Sequence, residues 1–495
     1  MSRRNFLKSV GLSTGGLLLS PAMRAVQARN PLQIPERHEG ITTNSRVTYS
    51  LRAQKGSTEF IPGLQTPTIG INRSYLGPTL ILKRGDDVEL DVHNALSEKT
   101  TLHWHGLHVP AKADGGPAQI IEPGDRWSPR FTVDQSAGTF WYHSHLLHKT
   151  GEQVYHGLTG MIILQDELSD RLPLPNDYGV DDIPLIVQDR RFKSDGSFDY
   201  IRAHSDVMTG LFGDRILVNG TVDAVFRPTT TRVRFRLLNA ANARTFTFAF
   251  DDNRTFSQVA TDGGLMEKPL ERKSLILAPS ERAEIVVEFN ASEPCTLISL
   301  PLPAGSQFAT RGMMARMHSG NDERFDLLRI EPAASLQSSP DLPTVLAKIP
   351  RLNPSDAAVT RKLTLSMAMG MGMGMMGRRG SGGGNFFING QTMDMEVVNY
   401  RIKKDTVEIW EITNDSMMMH PFHIHHSQFQ ILDRNGKPPE ADEHGLKDTV
   451  KIGPGETVRF IMRFENYADP DTAYMYHCHI LEHEDNGMMG QFTVE

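Results

Sequence analysis

The sequence predicts an all-β protein of three sandwich-like units in series, and three observations carry that expectation. At 495 residues the chain has room for about three domains of ~150 residues each. Short alternating runs such as Arg232 to Leu238 and Thr457 to Phe464, punctuated by 42 Gly and 29 Pro, read as strands separated by turns rather than as helices. One phrase also occurs three times: Pro123-Gly124-Asp125-Arg126 ahead of Phe131-Thr132-Val133, Pro279-Ser280-Glu281-Arg282 ahead of Ile285 to Phe289, and Pro454-Gly455-Glu456-Thr457 ahead of Phe460 to Phe464. A second echo pairs Ile216-Leu217-Val218-Asn219-Gly220 and Arg234 to Asn239 with Phe387-Ile388-Asn389-Gly390 and Glu408 to Asn414. Repeats this far apart imply duplicated domains rather than a short-period solenoid. The expected spans are 29–170, 171–340 and 341–495, the second boundary falling in the Pro- and Ser-rich stretch from Glu331 to Pro354.

The first element of the chain is a separate message. Ser2-Arg3-Arg4-Asn5-Phe6-Leu7-Lys8, a mildly apolar run from Val10 to Leu19 and small residues from Ala22 to Ala28 resemble a twin-arginine export signal over residues 1–28. Such a signal implies the twin-arginine translocation machinery as a partner and the periplasm as destination. That route carries folded proteins, which suits one that takes up metal before export. Residues 1–28 hold four Lys or Arg and no acid, so their removal takes the formal charge from -7 to -11. This balance gives no general basic field for nucleic acid, and no run of 18 apolar residues offers a membrane span. The mature chain is expected to be a monomer.

Metal chemistry is written in the histidines. Of 19 His, 10 lie in four clusters: His103-Trp104-His105, His143-Ser144-His145, His420-Pro421-Phe422-His423-Ile424-His425, and His477-Cys478-His479 with His483. In a strand, residues i and i+2 share a face and i+1 points away. If His477 and His479 face one metal site, Cys478 must face another, so one covalent segment joins two centres. His483 and Met488 can return to the Cys478 side through a turn, and His420 is the natural further His, which completes a blue-copper donor set. Two His-x-His pairs fall in the first unit, two in the third and none in the middle one. The economical arrangement packs the first unit against the third with eight imidazoles around a metal cluster. A structural zinc site is closed by four ligands and lacks Met, so this donor set points to copper. A disulfide between Cys295 and Cys478 would strip the thiolate from this set, which leaves Cys295 as a small buried apolar residue.

The four clusters resemble the copper-binding signatures of the multicopper oxidases, a family of three consecutive cupredoxin-like Greek-key β-sandwich domains that covers essentially the whole mature chain. The resemblance implies four copper ions. Type 1 copper falls to His420, Cys478 and His483 with axial Met488, type 2 to His103 and His423, and the type 3 pair to His105, His143, His145, His425, His477 and His479. It further implies that a substrate gives electrons singly to type 1 copper, that they pass through Cys478 to His477 and His479, and that dioxygen is reduced to water at the cluster. Asp114, in Ala113-Asp114-Gly115-Gly116-Pro117, matches the family acid close to the cluster, with a plain Asp-Gly turn as the alternative. Glu484, beside His483, suits a proton relay or substrate contact, with an exposed surface acid as the alternative. Every ligand position is filled, which argues against a degenerate structural or cell-division relative.

Methionine makes the chain particular. Met367, Met369, Met371, Met373, Met375 and Met376 crowd residues 367–376, interleaved with Gly370, Gly372 and Gly374. Thioethers are soft ligands that suit Cu(I); the alternative is a Gly-rich loop whose Met residues cover an apolar patch. Met417, Met418, Met419 and Met489 add thioethers beside the type 1 positions. The insertion resembles that of the copper efflux oxidases, which oxidise Cu(I) to the less permeant Cu(II) in copper detoxification, and it makes Met418 and the Met-rich loop the candidates for substrate copper. There are departures from that pattern. No His or carboxylate lies between Met367 and Asn385, Arg378 and Arg379 intrude, and Ser416 stands where the family has an acid, with Asp415 one residue earlier. A laccase-like oxidase of phenolic or other organic reductants, and a periplasmic copper-sequestering protein, are the alternative functions. Copper nitrite reductase has no use for eight paired imidazoles.

Overall fold

The computed structural model describes residues 30–303, 305–312, 320–368 and 385–495; the export signal expected over residues 1–28 lies outside them. The described residues are built mainly of strands, arranged in six sheets. Strands within residues 37–165 supply two sheets around a core that includes Leu51, Leu90, Trp104 and Phe140. Strands within 182–330 enclose Leu185, Val233, Phe248 and Ile285, and those within 357–494 enclose Trp410, Phe422, Phe460 and Phe492. The outcome is three β-sandwiches in series, the fold class the sequence predicts. One detail departs from the expected span 29–170. Asn30–Pro31 pairs in parallel with Ala224 and Val225, and Leu32 N–H donates to the Val225 carbonyl at 2.8 Å, so the described chain begins as an edge strand of the middle sandwich.

The repeated phrases have a physical cause. In each sandwich one strand ends in a buried Asn: Asn94, Asn239 and Asn414. Its Nδ2 donates to two carbonyls, those of Glu98 and Ile121, of Arg244 and Leu277, or of Met418 and Ile452. Its Oδ1 accepts the N–H of the residue two further on. The second residue of the matching phrase, Gly124, Ser280 or Gly455, donates its N–H to that Asn's carbonyl at 2.8, 2.8 and 2.9 Å. All three adopt positive φ (88°, 72° and 72°), a conformation that glycine takes without strain. Each phrase is therefore one turn, clamped to one strand end by one amide. Asn239→Ala leaves these buried partners unmatched, and the expected loss is roughly 1–3 kcal/mol in urea unfolding; an unchanged midpoint would deny the clamp.

Candidate metal centre

Strand Asp469–Cys478 pairs antiparallel with His420–Ile424 in a register that sets Cys478 opposite Phe422 and His477 opposite His423. Because side chains alternate, Cys478 and Phe422 turn into the core of the third sandwich. His477 and His423 turn the other way, towards the first sandwich.

On the core side, Cys478 Sγ lies 3.3 Å from His420 Nδ1 and 3.8 Å from His483 Nδ1, and the two nitrogens are 3.4 Å apart. The second nitrogen of each ring decides this orientation. Ser416 Oγ donates to Asn414 Oδ1 at 2.7 Å and so accepts the His420 Nε2–H at 2.8 Å, while His483 Nε2–H donates to the Met208 carbonyl at 3.3 Å. Both Nδ1 lone pairs are left facing sulfur. His483 sits on the short helix Leu481–Asp485, which brings the chain back so that Met488 is buried in the same core and its carbonyl accepts Cys478 N–H at 3.0 Å. Burial pushes the Cys478 thiol up and holds His420 down at about 3, so the rings are neutral donors and a bound cation would be needed to free the thiolate. Cys295 is a free thiol in the core of the middle sandwich, without a disulfide to Cys478.

On the other face, eight imidazoles meet between the first and third sandwiches, none more than 2% exposed. Their ring nitrogens gather, within 4.8 Å, as His103 with His105 and His423, His105 with His143 and His479, and His145 with His425 and His477. In the last group His477 Nε2 lies 3.2 Å from both His145 Nε2 and His425 Nε2. The segments His103–His105 and His423–His425 are related by an approximate two-fold. His103 stacks on His425 at 3.9 Å and His105 on His423 at 3.7 Å. Asp114 accepts His103 Nδ1–H with its carbonyl at 2.8 Å and meets His425 Nδ1 with its carboxylate at 2.7 Å. Asp448 mirrors it, with its carbonyl on His423 Nδ1 at 2.7 Å and its carboxylate 3.2 Å from His105 Nε2. Each acid thus holds its own sandwich with main chain and the opposite one with side chain.

What remains is a set of buried ring nitrogens without partners: Nε2 of His103, His143 and His423 and Nδ1 of His105, each left as a lone pair by the partner of the other nitrogen, and both nitrogens of His479, one of which carries the ring proton. Burial holds these rings neutral. Orphaned acceptors of this kind are costly unless a cation takes them, and imidazole with one thiolate and one thioether fits copper.

Comparison with known proteins agrees. Residues 52–169 and 363–495 match family profiles described as multicopper oxidase. The multicopper oxidase mco of Staphylococcus aureus is 36% identical over 479 residues, 95% of this chain and 94% of its own. The chain belongs to the multicopper oxidase family. It is also similar to the cell division protein FtsP of Edwardsiella tarda, 34% identical over 100% of this chain and 99% of that one. Among solved structures, the laccase-like multicopper oxidase CueO of Ochrobactrum sp. aligns with a TM-score of 0.82 at 32% identity, covering 94% of this chain and all of that chain. The three sandwiches are cupredoxin-like domains, and the family implies a copper oxidoreductase with dioxygen as acceptor.

Three acids line the imidazole cluster of this multicopper oxidase: Asp114, Asp448 and Glu484. Asp114 follows the short turn Ala111–Ala113, and the next residue, Gly115, has φ 79° with the Leu102 carbonyl oxygen 1.9 Å from where a Cβ would sit. The Asp-Gly turn and the cluster contact are therefore one feature, not alternatives. Glu484 is no surface acid: it is 1% exposed, with Oε1 3.3 Å from His145 Nδ1 and Oε2 3.2 Å from His477 Nδ1. Burial alone would raise its pKa, but His145 and His477 hold it well below the usual carboxylate range, whereas burial pushes Asp114 up. Asp448, on the rings of His105 and His423, is the acid that the sequence does not reveal. Nothing in Lys447-Asp448-Thr449 signals a metal site until the chain folds.

The methionines divide. Met369, Met371, Met373, Met375 and Met376 lie outside the described residues. Met418 is 4% exposed and packs in the core of the third sandwich with Cys478 and Met488. As a candidate for substrate copper it must therefore be corrected: its thioether is enclosed, not offered to solvent. Met367 and Met417 are half-buried against that same core. Met367 pairs with Phe386, Ala368 N–H donates to the Asn385 carbonyl at 2.8 Å, and Phe386 stacks on His483 with centroids 4.1 Å apart. Both described ends of the Met-rich insertion therefore meet beside the Cys478 site.

Proposed function

We propose that this chain is a periplasmic cuprous oxidase, exported by the twin-arginine pathway, which couples oxidation of Cu(I) to reduction of dioxygen: four Cu(I), one O₂ and four protons give four Cu(II) and two waters. His420, Cys478 and His483 with Met488 would hold type 1 copper, His103 and His423 type 2, and the remaining six imidazoles the type 3 pair. Copper bound there would supply one-electron chemistry and collect the four electrons that dioxygen needs.

The rest is the work of the chain. Cys478 shares main chain with His477 and His479, so the thiolate side is linked covalently to the cluster side. Asp114 keeps a proton at His425 Nδ1, and Glu484 keeps its carboxylate against His145 and His477; both stand where protons for water formation must pass. Burial of all eight rings excludes bulk water from the place where partly reduced oxygen would otherwise escape.

The observation that carries the choice of Cu(I) is the Met-rich insertion, whose ends sit against the Phe386–His483 stack, since soft thioethers favour Cu(I). The alternative is a laccase-like oxidase of phenolic or other organic reductants, supported by the likeness to the laccase-like enzyme of Ochrobactrum sp.. Replacing residues 369–376 by a short Gly-Ser turn is expected to slow Cu(I) oxidation about tenfold or more, the equivalent of ~1.4 kcal/mol of lost contact, while oxidation of a small phenol changes little. Equal losses on both substrates favour the laccase reading. Absence of oxygen uptake with either would leave copper sequestration, or a role like that of the division protein.

A further inference from the structure

We propose that Arg282, supplied by the middle sandwich, is a positioning residue for the metal cluster: it fixes Asp448, and through Asp448 it fixes the ring of His105. The proposal rests on the oxidase reading above and adds a function for the unit that carries no copper ligand.

Arg282 begins the strand Arg282–Glu288 and is fully buried. All five of its side-chain N–H groups are used. Nε donates to the Thr139 carbonyl at 3.1 Å, on the strand Gly138–His143 of the first sandwich. Nη1 reaches the Ser280 carbonyl at 3.1 Å and Nη2 the Asp262 carbonyl at 3.0 Å, both in the middle sandwich. The remaining two form a two-pronged contact with Asp448 of the third, Nη1 to Oδ1 at 2.7 Å and Nη2 to Oδ2 at 2.5 Å. One guanidinium therefore touches all three sandwiches. Its planar fork sets the plane of the carboxylate as well as its place. Thr449 Oγ1 adds a third donor to Oδ1 at 3.0 Å.

The consequence is read at His105. Asp448 Oδ1 lies 3.2 Å from Nε2 of this ring, which leaves Nδ1 without a partner at the cluster. His103, His143 and His423 are oriented the other way, with Nδ1 on a carbonyl and Nε2 free. His105 thus needs a carboxylate in a fixed place to present the opposite nitrogen. Room for the pair is reserved by Gly106, at φ 87°, where a Cβ would lie 2.5 Å from Asp448 Oδ2 and 2.9 Å from Arg282 Nη2. The approximate two-fold is broken at this point: among the described residues, no Lys or Arg pairs with Asp114, which faces His103 and His425. The motif Pro279-Ser280-Glu281-Arg282 repeats the turn of the other units but ends in a residue that reaches the metal centre.

Two variants of the full chain, loaded with copper, test this. Arg282→Lys keeps the charge but loses the fork. The double variant Arg282→Met with Asp448→Leu removes both buried charges together, a replacement that buried ion pairs often tolerate. The expected result is retained blue colour from the Cys478 site, a small fall in melting temperature from the carbonyls of Thr139, Ser280 and Asp262 that lose their donor, and cluster copper held about 10–100-fold more weakly in competition with a chelator. Blue variants with unaltered cluster affinity would overturn the proposal. So would a parallel fall of melting temperature, colour and cluster copper in both, which marks Arg282 as inter-sandwich glue. Wild-type protein that takes up no copper would overturn the oxidase reading and this proposal together, whereas wild-type uptake with unaltered variants sinks the positioning role alone.

Discussion

Cys478→Ser is expected to yield a colourless protein whose oxygen uptake falls to background. The hydroxyl is a harder donor than the thiolate and does not ionise at working pH, so the soft, charged ligand is lost while His420 and His483 remain. Cys478 is fully buried and its backbone N–H stays bonded to the Met488 carbonyl, so the change removes one atom's chemistry with little change of shape. Burying a hydroxyl among apolar neighbours costs about 1–3 kcal/mol, well short of unfolding a domain of this kind. The cluster imidazoles are untouched. Spectra, copper count and oxygen consumption read the three parts separately, and turnover at the wild-type rate in this variant would end the case for Cys478 as the link between the sites.

Asp114→Asn and Glu484→Gln are expected to keep the blue colour and to slow turnover by about 10²–10⁴-fold each, the range lost with a positioned acid or base. Both side chains are enclosed and lie on cluster rings, so bulk water cannot readily replace them. The slowing should fall on one half of the cycle. Anaerobic bleaching of the blue site by substrate depends on the core side of Cys478 and stays near the wild-type rate, while return of the colour on adding dioxygen slows. Reoxidation at the wild-type rate in both variants would remove these acids from proton delivery and return them to a structural role.

Much of the site was legible because its grammar is local. The alternation of His477, Cys478 and His479 dictates opposite faces in any strand, and the register against His420–Ile424 keeps it. The repeated turn phrases were visible too, and the first sandwich supplies the copy of their Asn clamp, Asn94, that the echo between Asn239 and Asn414 left out. The exposure of a residue was far less legible. Glu484 could be surface or centre, and Met418 solvent-facing or core, because one adjoins His483 and the other lies two residues before His420, and only packing decides which way each looks. Asn30–Pro31 joined the middle sandwich because an edge there had unpaired backbone groups to offer.

The sequence by itself determined the donor chemistry and the family: which atoms can bind a soft redox metal, in what order along the chain, and on which face of each strand. These depend on side-chain type and the two-residue pleat, which are properties of a few neighbouring residues. Only the tertiary structure decided which imidazoles share a group, that Asp114 and Asp448 each hold the opposite sandwich, and that Arg282 ties the pair to the middle one. Those contacts join residues hundreds of positions apart, and their distances are set by how three cores pack against one another, which no local pattern records.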